Sequence, residues 1–152
     1  ECGVLEFLAN GDFNYLTVNE DMTPREKKEI MRKRFFADDF FLSANGVTID
    51  GRIFQEDGAS TRVAPMIYGP DNVIIIIGKN KIVDTEGQAK ARIKKVAPQN
   101  CAKAGFDTPC AVDGHCHDCR VPARSCCTSV TLNYSRIPDR IKVIIVNEDL
   151  GI

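Results

Sequence analysis

Six of the seven cysteines in this 152-residue chain lie between Cys101 and Cys127. Four of them, Cys110, Cys116, Cys119 and Cys126, follow the spacing C-x5-C-x2-C-x6-C within 17 consecutive residues, with Cys127 adjoining the last. A C-x2-C turn brings two sulfurs to one side of a tight loop, at the separation a metal centre needs. Four thiolates satisfy tetrahedral zinc or an iron–sulfur cluster. The opening is one residue away from the C-x4-C-x2-C of plant-type ferredoxins and unlike the bacterial ferredoxin run. Loop closure over so short a span is cheap, and Pro109 and Gly114 permit the turns. Four chemistries remain open: an iron–sulfur cluster, structural zinc, redox-active or free thiols without metal, and structural disulfides. The odd cysteine count argues against complete intrachain pairing.

His115 and His117 flank Cys116, and alternate loop positions point apart, so at most one would ligate; both read as solvated. Lys103, Arg120 and Arg124 would lower nearby thiol pKa values or offset an anionic cluster. Cys2 and Cys101 stand apart and read as buried, inert thiols.

A second set of candidates is independent of sulfur. Loops that leave a strand and open a helix create anion sites at the strand's C-terminal edge. Gly78-Lys79-Asn80-Lys81 follows the most apolar run, Val73 to Ile77. Gly58-Ala59-Ser60-Thr61-Arg62 opens a short helix, and Asn45-Gly46 ends another strand. Asn45, Gly58, Thr61, Arg62, Gly78, Lys79, Asn80 and Lys81 are therefore candidate ligands for a carboxylate or phosphate.

The elements around these loops follow from local signals. Residues 2–8 read as the end of a helix that began upstream of Glu1, stopped at Asn10-Gly11. Phe13 to Val18 reads as a strand. Thr23-Pro24-Arg25-Glu26 is a capping box with proline at the first turn, predicting a helix to about Phe36. Its basic face reads as a solvated surface. Asp39 to Ala44 predicts a strand. Asp50-Gly51 predicts a hairpin between Val47–Ile49 and Arg52–Phe54, followed by a polar loop from Gln55 to Ser60. Arg62 to Tyr68 reads as a short helix. Val73 to Ile77 reads as a strand buried on both faces. A second helix should run from Asp84 to about Val96, ended by Pro98. Ser129 to Asn133 and the run Ile141 to Val146 complete the strands, the last one buried. Strands alternating with helices predict a mostly parallel α/β sheet with an added hairpin.

Composition bounds the rest. The hydrophobic fraction is 43% and the charged fraction 27%, ordinary globular usage. A chain of this mass would fold to an accessible surface of roughly 7,600 Å², enclosing one core. The net charge of −1 offers no basic excess for nucleic acid, and no run is long enough to span a membrane. With no signal peptide ahead of the clustered cysteines, a cytoplasmic location is expected. With imidazoles confined to the cysteine segment, a catalytic triad is not supported.

At this point a resemblance becomes specific. The motifs Gly78-Lys79-Asn80-Lys81-Ile82-Val83, Ala89-x-x-Arg92-Ile93, Ala97-Pro98-x-Asn100, Thr108-Pro109-Cys110, Gly114-x-Cys116-x-Asp118-Cys119 and Val143-x-x-Val146-x-Glu148-x-Leu150-Gly151 resemble the lactate-utilization (LUD) domain family, in the branch with a C-terminal cysteine-rich motif. The resemblance covers essentially the whole chain. It implies a single domain over residues 1–152, with the cysteine-rich loop 101–127 inserted before the last strands. It implies a three-layer α/β/α sandwich like the ribose-5-phosphate isomerase and CoA-transferase group, lacking its N-terminal portion. It further implies a redox accessory or iron–sulfur-binding subunit in lactate or other 2-hydroxy-acid utilization, with Cys110, Cys116, Cys119 and Cys126 as ligands. Iron–sulfur or oxidoreductase subunits would be partners, and an uncovered sheet edge would favour a homodimer. The alternative is a small-molecule binding domain or enzyme of the CoA-transferase-like fold, taking CoA or a phosphorylated metabolite, with structural zinc or no metal.

Overall fold

The computed structural model describes residues 2–152. Helices α1 (Val4–Asn10) and α2 (Pro24–Lys33) lead into strands β1 (Asp39–Leu42), β2 (Gly46–Thr48) and β3 (Ile53–Asp57). Helix α3 (Val63–Ile67), β4 (Asn72–Gly78), the short β5 (Ile82–Val83) and α4 (Glu86–Lys103) follow. The one-turn α5 (Pro109–Asp113) and strands β6 (Thr128–Leu132) and β7 (Ile141–Val146) complete the order. The fold is mixed α/β with two open sheets, and most of the strand pairings are parallel. One sheet is parallel, in the order β1-β4-β7; the other is mixed, in the order β5-β2-β3-β6.

One core joins the two sheets. Phe40, Val73, Ile75 and Ile77 meet Val47, Ile53, Val63 and Met66, with Val130, Leu132 and Ile141 packed against them. Alternation along each strand sends these residues to one face. Helix α4 packs along β2, β3 and β5, close enough that a Cβ on Gly46 would touch the Ala89 methyl at 3.4 Å.

The strongest local signals hold. Thr23 and Glu26 form the reciprocal capping box of α2. The hairpin turns through Gly51 at φ 89°, and Gly51 N–H donates to the Thr48 carbonyl at 2.8 Å.

Several expectations are corrected. Phe13 to Val18 has no strand partner among the described residues, and Phe13 packs instead on Phe7 with ring centroids 5.3 Å apart. Helix α1 begins at Val4, behind Gly3 at φ 73°. The polar run after Phe54 is not a loop. β3 continues to Asp57 against β6, because the side chains of Gln55 and Asp57 find hydrogen-bond partners inside the fold. The isoleucine run is buried on one face only: Val73, Ile75 and Ile77 are enclosed, while Ile74 and Ile76 are half-buried. β7 is not a buried strand. It is the edge of its sheet, with Val143, Ile144 and Ile145 exposed by 38%, 48% and 56%. The accessible surface of 9937 Å² accordingly exceeds the size-based expectation.

Pro98 does not end α4. A capping box of Thr85 and Gln88 starts the helix, which passes through the buried Pro98 to Lys103. Proline removes one intrahelical hydrogen bond, but apolar burial at Val96, Pro98 and Cys101 offsets that loss.

Arg140 closes the core without a carboxylate partner among the described residues. Its guanidinium is buried and donates to the carbonyls of Pro70, Met66 and Pro65 at 3.0, 3.0 and 3.3 Å. Two of these end α3, where unsatisfied carbonyls and the helix dipole favour a cation.

Candidate functional site

Asp57 anchors one side of the site. Its carboxylate, 5% exposed, accepts from the N–H groups of Gly58 (2.8 Å), Arg62 (2.8 Å) and Val63 (3.2 Å). The Arg62 guanidinium adds a contact at 3.2 Å. Burial pushes the Asp57 carboxyl upward, but the Arg62 N–H, the guanidinium charge and the Val63 N–H outweigh it and hold the pKa below the ordinary value. A carboxylate with a depressed pKa stabilises the fold above its unfolded pKa, and that contribution disappears as pH falls through the folded value. Thermal stability should therefore drop below about pH 4. Asp57→Asn should flatten that part of the profile, a result checked by thermal denaturation from pH 3 to 7.

The opposite wall is the C-terminal half of α4. Ala89, Ile93, Ala97 and Cys101 recur every fourth residue, so Cys101 continues the stripe that faces the sheet. The reversal after α4 passes through Gly105 at φ 67° and returns the chain to Thr108 and α5. There the buried Cys110 thiol lies 3.3 Å from Thr108 Oγ1.

Arg124 organises the remainder of the cysteine segment. Its Nε donates to the Cys126 carbonyl at 2.6 Å, one terminal nitrogen donates to the Cys119 carbonyl, and the other pairs with Asp118 at 2.8 Å. The clipped segment then joins the sheet, where Cys127 N–H donates to the Asp57 carbonyl at 3.0 Å. A Cβ on Gly58 would stand 3.0 Å from the Ser125 carbonyl, so glycine permits this approach. Burial, followed by the charges of Glu56, Cys101 and Cys116, pushes the Cys126 thiol up to about 11 against the pull of Arg124. Cys126 is therefore a neutral thiol at pH 7 and not an activated nucleophile.

Between these walls lies a cavity of about 260 Å³, lined by Asn45, Glu56, Arg62, Cys101, Ser125 and Cys126 together with apolar side chains of α4 and Phe106. The polar wall is held rigidly. Asn45 Oδ1 accepts from Glu56 N–H at 2.8 Å, and Glu56 accepts from Ser129 Oγ at 2.5 Å. Two donors are left over. Arg62 uses Nε and Nη2 on Asp57 and the Glu56 carbonyl; among the described residues, Nη1 and the Asn45 amide nitrogen have no hydrogen-bond acceptor.

The structure thus brings Asn45, Arg62 and Cys126 onto one cavity, with Gly58 behind it. Thr61 is half-buried at the entry to α3. The other candidates sit elsewhere. Gly78 packs against the C-terminal segment, where a Cβ would meet Leu150 N at 2.4 Å and Glu148 O at 2.5 Å. Lys79 N–H donates to the Glu148 carbonyl at 3.0 Å, and Asn80 Oδ1 accepts from Leu150 N–H at 3.2 Å. The buried Lys81 donates to Ser43 Oγ at 3.0 Å. Cys110 is buried, Cys119 half-buried and Cys116 exposed. His115 and His117 are exposed and bound to Asp113, the latter at 2.7 Å. Cys101 is buried, as its sequence suggests, but its place on the cavity, like that of Glu56, was not expected. For Cys101 the four-residue stripe on α4 was the available signal; for Glu56 there was none.

The donor set suits iron or zinc in kind, since the thiols of one segment lie beside a guanidinium. In placement it does not: among the described residues, no three His, Cys, Asp or Glu side chains form a group that could hold a metal ion. Among the described residues, no helix is long and apolar enough to cross a membrane.

The profile of the LUD domain family matches residues 1–146. The chain belongs to that family. LUD domains are associated with lactate utilization. A crystal structure of a DUF162 family protein from Deinococcus radiodurans is similar at 15% identity and a TM-score of 0.44, over 77% of this LUD domain. This chain spans 58% of that protein's length. No curated protein matches it.

Proposed function

We propose that this LUD domain is a redox accessory in lactate or other 2-hydroxy-acid utilization that holds a small acid beside its cysteine segment. The observation that carries the reading is the cavity itself. Its lining includes Arg62 and Asn45, each with a spare N–H donor, together with Cys101 and Cys126. Two such donors on one cavity suit a carboxylate, and the guanidinium charge strengthens the bond. At about 260 Å³ the cavity lies below the range of drug-sized pockets. It suits a short acid better than a whole CoA, which would insert only one end.

Thermal shift and calorimetric titration with lactate, pyruvate, inorganic phosphate and CoA test this. A 2-hydroxy acid should raise Tm. Arg62→Ala should weaken its binding by roughly ten- to a hundredfold, the worth of one charge-assisted hydrogen bond. Absence of any shift with these acids at saturating concentration would overturn the reading, and stabilisation by phosphate or CoA alone would favour the metabolite-binding alternative.

A second reading rests on Arg124, whose guanidinium lies beside Cys119 and Cys126. A cation in that place would offset an anionic thiolate cluster if Cys110, Cys116, Cys119 and Cys126, which form no metal-holding group in this arrangement, were drawn together around it. Iron and sulfide analysis with an anaerobic absorption spectrum decides it. Stoichiometric iron and sulfide support an electron path to partner iron–sulfur or oxidoreductase subunits. One zinc per chain supports a structural clip.

A further inference from the structure

We propose that Glu56 reads the C2 substituent of the bound acid. It admits 2-hydroxy and 2-amino acids, which offer it a hydrogen-bond donor, and rejects 2-oxo acids, which do not. This deepens the acid-binding reading and rests on it.

Three observations give Glu56 that role. First, among the described residues that line the cavity it is the one carboxylate. Alternation along β3 turns it away from the face that carries Ile53 into the core. Second, its side chain is held but not spent. Ser129, its register partner across the β3–β6 ladder, donates from Oγ to Glu56 Oε2 at 2.5 Å. Glu56 Oε1 has no hydrogen-bond donor among the described residues. Third, the charge of Arg62 is already balanced by Asp57 at 3.2 Å. Glu56 therefore leaves this corner of the cavity with a net negative charge.

A bare carboxylate on the spare donors of Arg62 and Asn45 meets repulsion from Glu56. Carbon 2 is bonded directly to that carboxylate, so its substituent shares the same small volume. A hydroxyl there donates to Glu56 Oε1 and replaces repulsion with a charge-assisted hydrogen bond. An ammonium group does the same and also neutralises the excess charge. A keto oxygen carries lone pairs only and sets acceptor against acceptor. A methylene offers no donor at all. A site with an acceptor waiting for a proton discriminates strongly against ligands without one, because binding them strips water from that acceptor and puts nothing in its place.

The test is calorimetric titration of the full chain with pyruvate, propionate and both enantiomers of lactate and of alanine, acids that differ only at C2. The better lactate enantiomer should bind roughly ten- to a hundredfold more tightly than pyruvate. The better alanine enantiomer should bind at least as tightly as lactate. Glu56→Gln keeps an oxygen for Ser129 and presents an amide N–H in place of Oε1, so the lactate-to-pyruvate ratio should fall to near one and alanine should lose most. A merely structural role for Glu56 would weaken all these ligands together and leave the ratio alone. Ser129→Ala frees the carboxylate without removing it; it should lower the ratio in part, and it serves if Glu56→Gln does not fold. Pyruvate binding as tightly as lactate, alanine binding more weakly than propionate, or a ratio unchanged in Glu56→Gln would each overturn the proposal and leave the acid site standing. Binding of none of these acids would instead remove the acid reading, and this inference with it.

Discussion

Arg140→Ala is expected to lower the unfolding free energy by about 3–5 kcal/mol, the largest effect of any single replacement considered. The guanidinium serves three carbonyls in a buried site. Hydrogen bonds to a charged group contribute about 1.5–3 kcal/mol each, and a buried acceptor left unpaired costs roughly 1–3 kcal/mol. Some relaxation and water entry keeps the total below the sum. Domains of this kind hold only about 5–15 kcal/mol in all, so the variant would stand near its folding threshold. Arg140→Lys retains the charge without the planar fork and should fall between. Urea unfolding of the three proteins checks this. A loss under about 1 kcal/mol in Arg140→Ala would mean that the carbonyls find other donors.

Arg124→Ala is expected to release the cysteine segment while leaving the sheets folded. The side chain closes residues 118–126 through two carbonyls and one carboxylate. If that clip contributes about 2–3 kcal/mol locally, its loss raises the open population roughly 30- to 150-fold. Alkylation of Cys126, now half-buried, should accelerate by a comparable factor, while Cys101, held by α4 and α5, should change little. Time-resolved alkylation with peptide mapping reads both rates. Unchanged labelling of Cys126 would show that pairing at Cys127, not Arg124, holds the segment. Equal acceleration at Cys101 would show that the whole wall opens.

These two arginines also mark how far the sequence was legible. Signals carried within four residues, such as Thr23 with Glu26 or Asp50 with Gly51, appear as read, because capping and turn geometry are local physics. The isoleucine run from Val73 marked a strand but not how many of its faces are covered, which depends on what packs above and below the sheet, here Val47, Ile53, Val63 and Met66 on one face only. Pro98 was read by its local penalty, and tertiary burial outweighed it. That misreading hid Cys101, since a helix ended at Pro98 carries no cysteine to the cavity. Asn45 and Arg62 were legible as strand-edge polar residues. Their meeting with Cys126 was not, because it depends on β3 pairing with β6. Neither role of Arg124 and Arg140 was visible: both act on backbone carbonyls, and carbonyls leave no mark in a sequence.

The parallel sheet β1-β4-β7 has a consequence for how the chain reaches its native state. Its central strand, with four consecutive isoleucines, gains its second neighbour only when β7 pairs with it. During synthesis from the N-terminus, that strand must wait with one edge open while the intervening segment is made. The α3 carbonyls wait equally long for Arg140. An uncharged β-branched run with a free edge is the kind of segment that templates intermolecular strand pairing. Slow translation or truncation between β4 and β7 should therefore yield aggregates rather than soluble fragments, and the nascent chain is most exposed to chaperone capture over that interval.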